Sequence, residues 1–519
     1  MNEKSIGKKL NSAPVRTAAQ TAMFMAILLL VSKVFGFVRE LVFAAFFGAG
    51  YVMDSYSMSQ SIPNILFSGI LQAVSVSFMP LFSDKTERES EEAGNSFVNE
   101  VLNLLAKVAL LLGILGAVFS KQLVGIFAYG FNEDQRMLTA FFLRISFFYI
   151  IFNSCNEVLR KYLEYKKVFL RPIIFGYVQN FIVIVFAILA AYTTEKLLIF
   201  GLFFSYAGCT IFLAYLAKKE GLNWRFYAKS SGSVGRQIIM LAFPAFIGGY
   251  VANINTYVDR SLASGLPEGS VAALGYAMTI LGLIIGLTVS IISTIIFPRL
   301  NQARAMGDME YYNELLSGGF NLYAIVTLPF GFGAMVFAQE VVQVIYERGA
   351  FDPVATGMTA IALFWYGPHL CLSQLNTQSI YAFQTNKDMK TPMYVGFVSV
   401  AANIALNLIL VKRMGIGGLA LATSIATGIS LVLSLVLLRK KFPQLRMIES
   451  FGKLIAIALA AAVAVAAGKG TYALIAGAIW MPRVCYLALA MIVAGGLYLG
   501  LLWAMKVKEL EFAKDIVRK

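Results

Sequence analysis

Charge is what this chain has least of. Only 14% of its 519 residues are Asp, Glu, Lys or Arg, against roughly 25% in soluble proteins, whose surfaces must face water. That shortage excludes a set of soluble domains, and with 59% hydrophobic residues and a mean hydropathy of +0.73 the outer surface must meet lipid. Histidine is almost missing: His369 is the only one, so histidine-based acid–base chemistry would rest on a single residue, and a place in helix packing is expected for it. The four cysteines, Cys155, Cys209, Cys371 and Cys485, lie in apolar stretches without metal-ligand spacing and are expected as small buried side chains. No acid–base or metal cluster gathers near an interface, so the chain is expected to be no enzyme and to need no organic cofactor. The net charge of +15 is not gathered on a soluble domain, which argues against nucleic acid as a partner.

What the chain has instead is long apolar runs. A helix crossing the hydrocarbon core needs about 20 apolar residues. About fourteen such runs start near Met23, Val52, Phe97, Leu138, Pro172, Leu197, Ile238, Val271, Asn313, Ala355, Pro392, Ile416, Leu454 and Val484. No small-residue cleavage site follows the first run, so it is expected to be retained as a span. Of the 43 Lys and Arg, the termini and even-numbered connections carry 30, the odd-numbered connections 8, and Lys33, Arg39, Lys107, Arg144 and Arg260 fall inside spans. The positive-inside rule then places both termini in the cytoplasm.

The chain also repeats itself. Phe78-Met79-Pro80, following the second apolar run, recurs as Ile296-Phe297-Pro298 following the eighth, at an offset of 218. Val124 to Gly130 recurs as Gln343 to Gly349 at 219, and Pro172-Ile173-Ile174-Phe175-Gly176 as Pro392-Met393-Tyr394-Val395-Gly396 at 220. Three matches in order at a nearly constant offset point to two six-helix units. An even unit re-enters the membrane in the same orientation, which gives parallel repeats with a substrate site between them, a transporter arrangement. The fold class expected is therefore all-α and polytopic, with an N-lobe over residues 1–228 (spans one to six) and a C-lobe over 229–445 (spans seven to twelve). Residues 446–519 add spans thirteen and fourteen and a cytoplasmic tail.

Ionisable residues inside a membrane cost about 2.5–3.5 kcal/mol on insertion scales and usually line a cavity or have a partner. The first span carries Lys33, Arg39 and Glu40, with Lys33 near the bilayer centre. Lys33 and Glu40, seven apart, share a helix face, so a self-neutralising pair competes with a cationic wall for an anionic substrate. Asp54, just after the tight turn Gly48-Ala49-Gly50, either pairs with Arg39 or serves a gate. Arg144 in the fourth span either faces the cavity or snorkels to the surface. Glu40 and Arg260 are candidates for a gate or an ion pair. In the other half Asn403 and Asn407 share a face of the eleventh span, at a similar depth to Thr423 on the twelfth. With Asp259 these four offer the hard oxygen ligands that suit a small cation, and equally well interhelical hydrogen bonds worth about 0.6 kcal/mol each.

Ser32-Lys33-Val34-Phe35-Gly36-Phe37-Val38-Arg39-Glu40, then Phe47-Gly48-Ala49-Gly50 and Asp54, resemble the opening signature of the MurJ/MviN family. Pro63-Asn64 and Phe78-Met79-Pro80 continue the pattern, and Ile345-Tyr346-Glu347-Arg348-Gly349-Ala350-Phe351 is similar to that family's motif before its tenth helix. The resemblance implies the fold of the multidrug/oligosaccharidyl-lipid/polysaccharide exporter superfamily, with two lobes around a central cavity and helices thirteen and fourteen framing a groove for a lipid tail. It implies a flippase in the bacterial cytoplasmic membrane for lipid II, an undecaprenyl-diphosphate disaccharide-pentapeptide used in peptidoglycan synthesis, with other cell-wall synthesis proteins as candidate partners. By position, Lys33 and Arg39 would meet the diphosphate, Asp54 would assist gating, and Asp259, Asn403, Asn407 and Thr423 would form a sodium site. The chain departs from the family pattern at Lys33, where arginine is usual, at Phe67, Ser68 and Gln72, and at Thr279 and Asn407. A less basic cavity follows, and with it two rival substrates: another polyprenyl-diphosphate-linked polysaccharide, or a drug exported in exchange for a cation.

Overall fold

The computed structural model describes residues 18–225, 253–447, 451–478 and 482–507. These are helical throughout, with no strand among them. In chain order the helices are α1 (Ala18–Phe47), α2 (Tyr51–Arg88), α3 (Glu91–Val118), α4 (Ser120–Phe127), α5 (Glu133–Tyr165), α6 (Leu170–Tyr192) and α7 (Leu198–Lys219). After residues 253–263, here α8, come α9 (Ser270–Met306), α10 (Met309–Val336), α11 (Ala338–Tyr346), α12 (Pro353–Thr385), α13 (Lys390–Met414), α14 (Ile416–Lys441), α15 (Phe451–Ala478) and α16 (Arg483–Ala504). Apart from the short α4 and α11, they fall at the expected spans. The start near Ile238 lies outside the described residues.

Ten of these helices are long and apolar enough to cross a membrane by length and composition. Helix α12 has no Asp, Glu, Lys or Arg, yet its polar residues keep it below that threshold. It packs against α9, α10 and α14, and Thr356, Gln374, Gln378 and Ser379 are buried and hydrogen-bonded. A helix shielded by neighbours need not be apolar all round, because its polar groups bond within the protein. Helices α2 and α9, with 38 and 37 residues, are about 55 Å long at 1.5 Å per residue and overrun the ~30 Å hydrocarbon core. The Phe-Met-Pro and Ile-Phe-Pro motifs read as following the second and eighth spans therefore sit inside these two helices.

The two halves are packed alike. Helix α5 contacts α2, α3 and α7, and α6 contacts α7; correspondingly α12 contacts α9, α10 and α14, and α13 contacts α14. Short α4 lies on α5 as short α11 lies on α12. Polar caps start the helices that leave connections: Ser90 accepts from the Ala93 amide, Asn132 and Gln135 form a capping box, and Asp352 accepts from the Ala355 amide ahead of Pro353. Such caps satisfy amides that a helix end leaves unpaired. Helices α15 and α16 pack on each other and dock through α15 on α10. Lys469, read as part of the thirteenth connection, lies on α15 and pairs with Glu340 of α11. Among the cysteines, Cys155, Cys209 and Cys371 are buried, but Cys485 is exposed, because it lies on the outer face of the last helix.

Candidate functional site

A cavity of about 260 Å³ opens between the halves, lined from α1 by Arg39 and Glu40, from α2 by Tyr56, Gln60 and Asn64, from α8 by Arg260 and from α9 by Thr279. Arg39 donates from Nη2 to Glu40 Oε1 at 2.7 Å and from Nη1 to Asn180 Oδ1 at 3.2 Å, with Phe43 beneath its guanidinium. Arg260 bonds Ser61 Oγ and the Ser57 carbonyl, both on α2. The pocket wall thus carries two guanidiniums and one carboxylate. Removing a charged headgroup from water is prohibitive without opposite charge, and guanidinium pairs with phosphate in bidentate fashion.

Several expected pairings are replaced. Glu40 is taken by its neighbour Arg39 rather than by Lys33. Lys33 is exposed, and its Nζ reaches Gly286 of α9, where a Cβ would come within 2.2 Å of it. Asp54 does not meet Arg39. It is buried, and its carboxylate accepts from the Gly269 amide at 2.7 Å and the Ala272 amide at 2.8 Å, so α2 caps the N-terminus of α9 in trans. Negative charge is favoured there by the helix dipole. Arg144 is not brought to the cavity; it donates to Ser120 Oγ at the start of α4.

The end of the molecule around Asp54 is closed by close approaches between the halves, one from backbone to backbone and one from the Tyr276 hydroxyl to backbone. The Ala350 amide donates to the Ala45 carbonyl at 2.8 Å, and Tyr276 donates to the Gly48 carbonyl at 3.0 Å. Gly349 and Gly269 have φ of +61° and +88°, and a Cβ on either would fall 2.1 Å from the Ala45 oxygen or 2.0 Å from the Ala49 oxygen. Only glycine fits such a position.

The four suspected cation ligands do converge. Asn407 Nδ2 donates to Asp259 Oδ1 at 2.6 Å and to Asn403 Oδ1 at 3.0 Å. The Thr423 hydroxyl lies 3.0 Å from Asp259 Oδ2, and Asn403 Nδ2 donates to it at 3.3 Å. Asp259 and both asparagines are buried, and Asn407 Oδ1 has no hydrogen-bond partner among the described residues. A buried carboxylate beside an orphaned amide oxygen is a donor set that fits a small hard cation. His369 packs as expected, with Nδ1 against Thr427 Oγ1.

Sequence reading missed Gln60 and Arg160, and met Asn64 only as part of a family motif. Ser57, Gln60 and Asn64 recur at helical spacing on α2, a signal that was there to find. Arg160, counted with the fourth connection, lies on α5 in a second cleft that shares Arg39 with the cavity.

A family model described as "Lipid II flippase MurJ" matches residues 43–495. The chain belongs to the lipid II flippase MurJ family. Relatives include the probable lipid II flippase MurJ of Thermotoga maritima, 29% identical with 83% of this chain and 86% of that protein covered. That of Rickettsia prowazekii is 28% identical, with 79% and 82% covered. The lipid II flippase MurJ of Burkholderia cenocepacia is 25% identical, with 93% and 97% covered. Among solved structures, a lipid II flippase MurJ in an inward closed conformation matches with a TM-score of 0.80 and 22% identity over 94% of this chain and 99% of that one. An inward-facing multidrug resistance MATE family transporter of the MOP superfamily matches with a TM-score of 0.66 and 13% identity, covering 82% and 100%. These two likenesses bear on the fold of the MurJ family member described here.

Proposed function

We propose that this chain is a flippase carrying lipid II from the inner to the outer leaflet of the bacterial cytoplasmic membrane by alternating access of an N-lobe (1–228) and a C-lobe (229–445). The observation that carries this reading is the cavity between the halves with Arg39 and Arg260 on its wall, in a member of the MurJ family. The diphosphate exchanges water for guanidinium there, while the polyprenyl tail stays in lipid beside α15 and α16. Both termini lie in the cytoplasm on the positive-inside reading, so the end sealed around Asp54 faces outward. Opening requires the Asp54 cap and the Ala45–Ala350 contact to part, and resealing restores them.

Asp259, Asn403, Asn407 and Thr423 would hold a sodium ion, whose charge would couple lobe movement to the ion gradient. The test is purified chain in liposomes containing lipid II, with headgroup arrival at the outer leaflet followed over time. Transport of lipid II supports the reading; turnover of lipid II chemistry, or export of cationic drugs in place of lipid II, opposes it. A drug exporter is disfavoured by the same guanidiniums, which repel cations.

A further inference from the structure

The second cleft has no assigned role. It encloses about 440 Å³ between α1, α5, α6 and α7, with Ser32, Arg39, Arg160, Gln179, Asn180 and Tyr206 among its walls. Arg39 lines both this cleft and the central cavity, so its guanidinium stands where the two meet. The cleft's other guanidinium is poorly matched. Arg160 Nη2 has the Cys209 sulfur at 4.0 Å, a weak acceptor, and no carboxylate within ion-pair reach among the described residues. Glu164, one turn on and in the same cleft, is engaged by Lys161 at 3.1 Å. A guanidinium turned into a cleft without a counter-ion is the arrangement expected of an oxyanion site.

Size points the same way. At about 260 Å³ the central cavity falls just below the ~300–1,000 Å³ typical of sites for drug-sized ligands, and a disaccharide bearing five amino acids is larger than those. We propose that the cleft is a second headgroup subsite: with the diphosphate at Arg39, the glycan-peptide arm lies among α1, α5, α6 and α7, and Arg160 binds a carboxylate of the peptide. This rests on the lipid II reading above and extends it to which part of the headgroup goes where.

The test measures binding of two probes, lipid II and undecaprenyl diphosphate, to purified wild type, Arg160→Gln and Arg160→Lys. The expected result is a loss of about tenfold or more in lipid II affinity for Arg160→Gln, with undecaprenyl diphosphate affinity unchanged and Arg160→Lys recovering most of the loss. Lipid II with its peptide carboxylates amidated should bind wild type and Arg160→Gln equally. An unchanged lipid II affinity in Arg160→Gln overturns the proposal, and so does an equal loss for both probes. Wild type that binds neither probe brings down the lipid II reading itself, a failure distinct from either of those.

Discussion

Replacing Asp54 with Asn should release the sealed end of the molecule. Both carboxylate oxygens are used, one on the Gly269 amide and one on the Ala272 amide. Hydrogen bonds to a charged group contribute about 1.5–3 kcal/mol each. Asparagine keeps one acceptor oxygen but turns an amide N–H toward the other backbone donor, so one charged bond is lost and the second becomes neutral. A cost of about 2–4 kcal/mol follows, and because the bonds join the halves it falls on the sealed state alone. At 1.4 kcal/mol per factor of ten, the sealed-to-open ratio should drop about 30- to 1,000-fold. Spin labels on exposed Met137 and Val354, one from each half near this end, in a Cys485→Ser background, would report it as a longer distance population. An unchanged distance distribution with intact folding would refute the reasoning, since the cap would then not differ between states.

Gly349→Ala should shift the same distribution in the same direction, because its Cβ would meet the Ala45 carbonyl and the residue is held at positive φ; a wild-type distribution would count against backbone packing as the seal. Sodium, but not potassium, should raise the melting temperature of the wild type, and Asp259→Asn should abolish that increment. No difference between the two salts would leave Asp259, Asn403, Asn407 and Thr423 as interhelical bonding only. Arg144→Gln should leave lipid II affinity unchanged, since its guanidinium is spent on Ser120, whereas a loss would place it on the substrate path.

Helix positions were legible because lipid imposes a length and a composition on every span, and connections cannot hide charge. The repeat was legible because Pro and Gly recur at matching positions of the two halves. The grouping of Asn403, Asn407 and Thr423 could be read from helix depth, which fixes height along the membrane normal, and Asp259 joined them as the carboxylate a cation would need. Rotation about each helix axis could not be read, and that is where the pairings failed. Lys33 and Glu40 share a face, yet the shorter reach from Arg39 claims the carboxylate. Asp54 finds backbone amides whose exposure depends on where α9 begins, 215 residues further along. Arg160 looked like a connection residue because α5 runs past the apolar segment to Tyr165, and a charged helix end resembles a loop in composition.

The most direct measurement of the central idea is outer-leaflet exposure of lipid II by Arg39→Gln and Arg260→Gln chains, each present at wild-type levels. If the guanidiniums replace water around the diphosphate, each substitution should cut the transport rate by at least about tenfold while the helical fold persists. Transport at the wild-type rate in both would show that the headgroup crosses by a route other than this cavity.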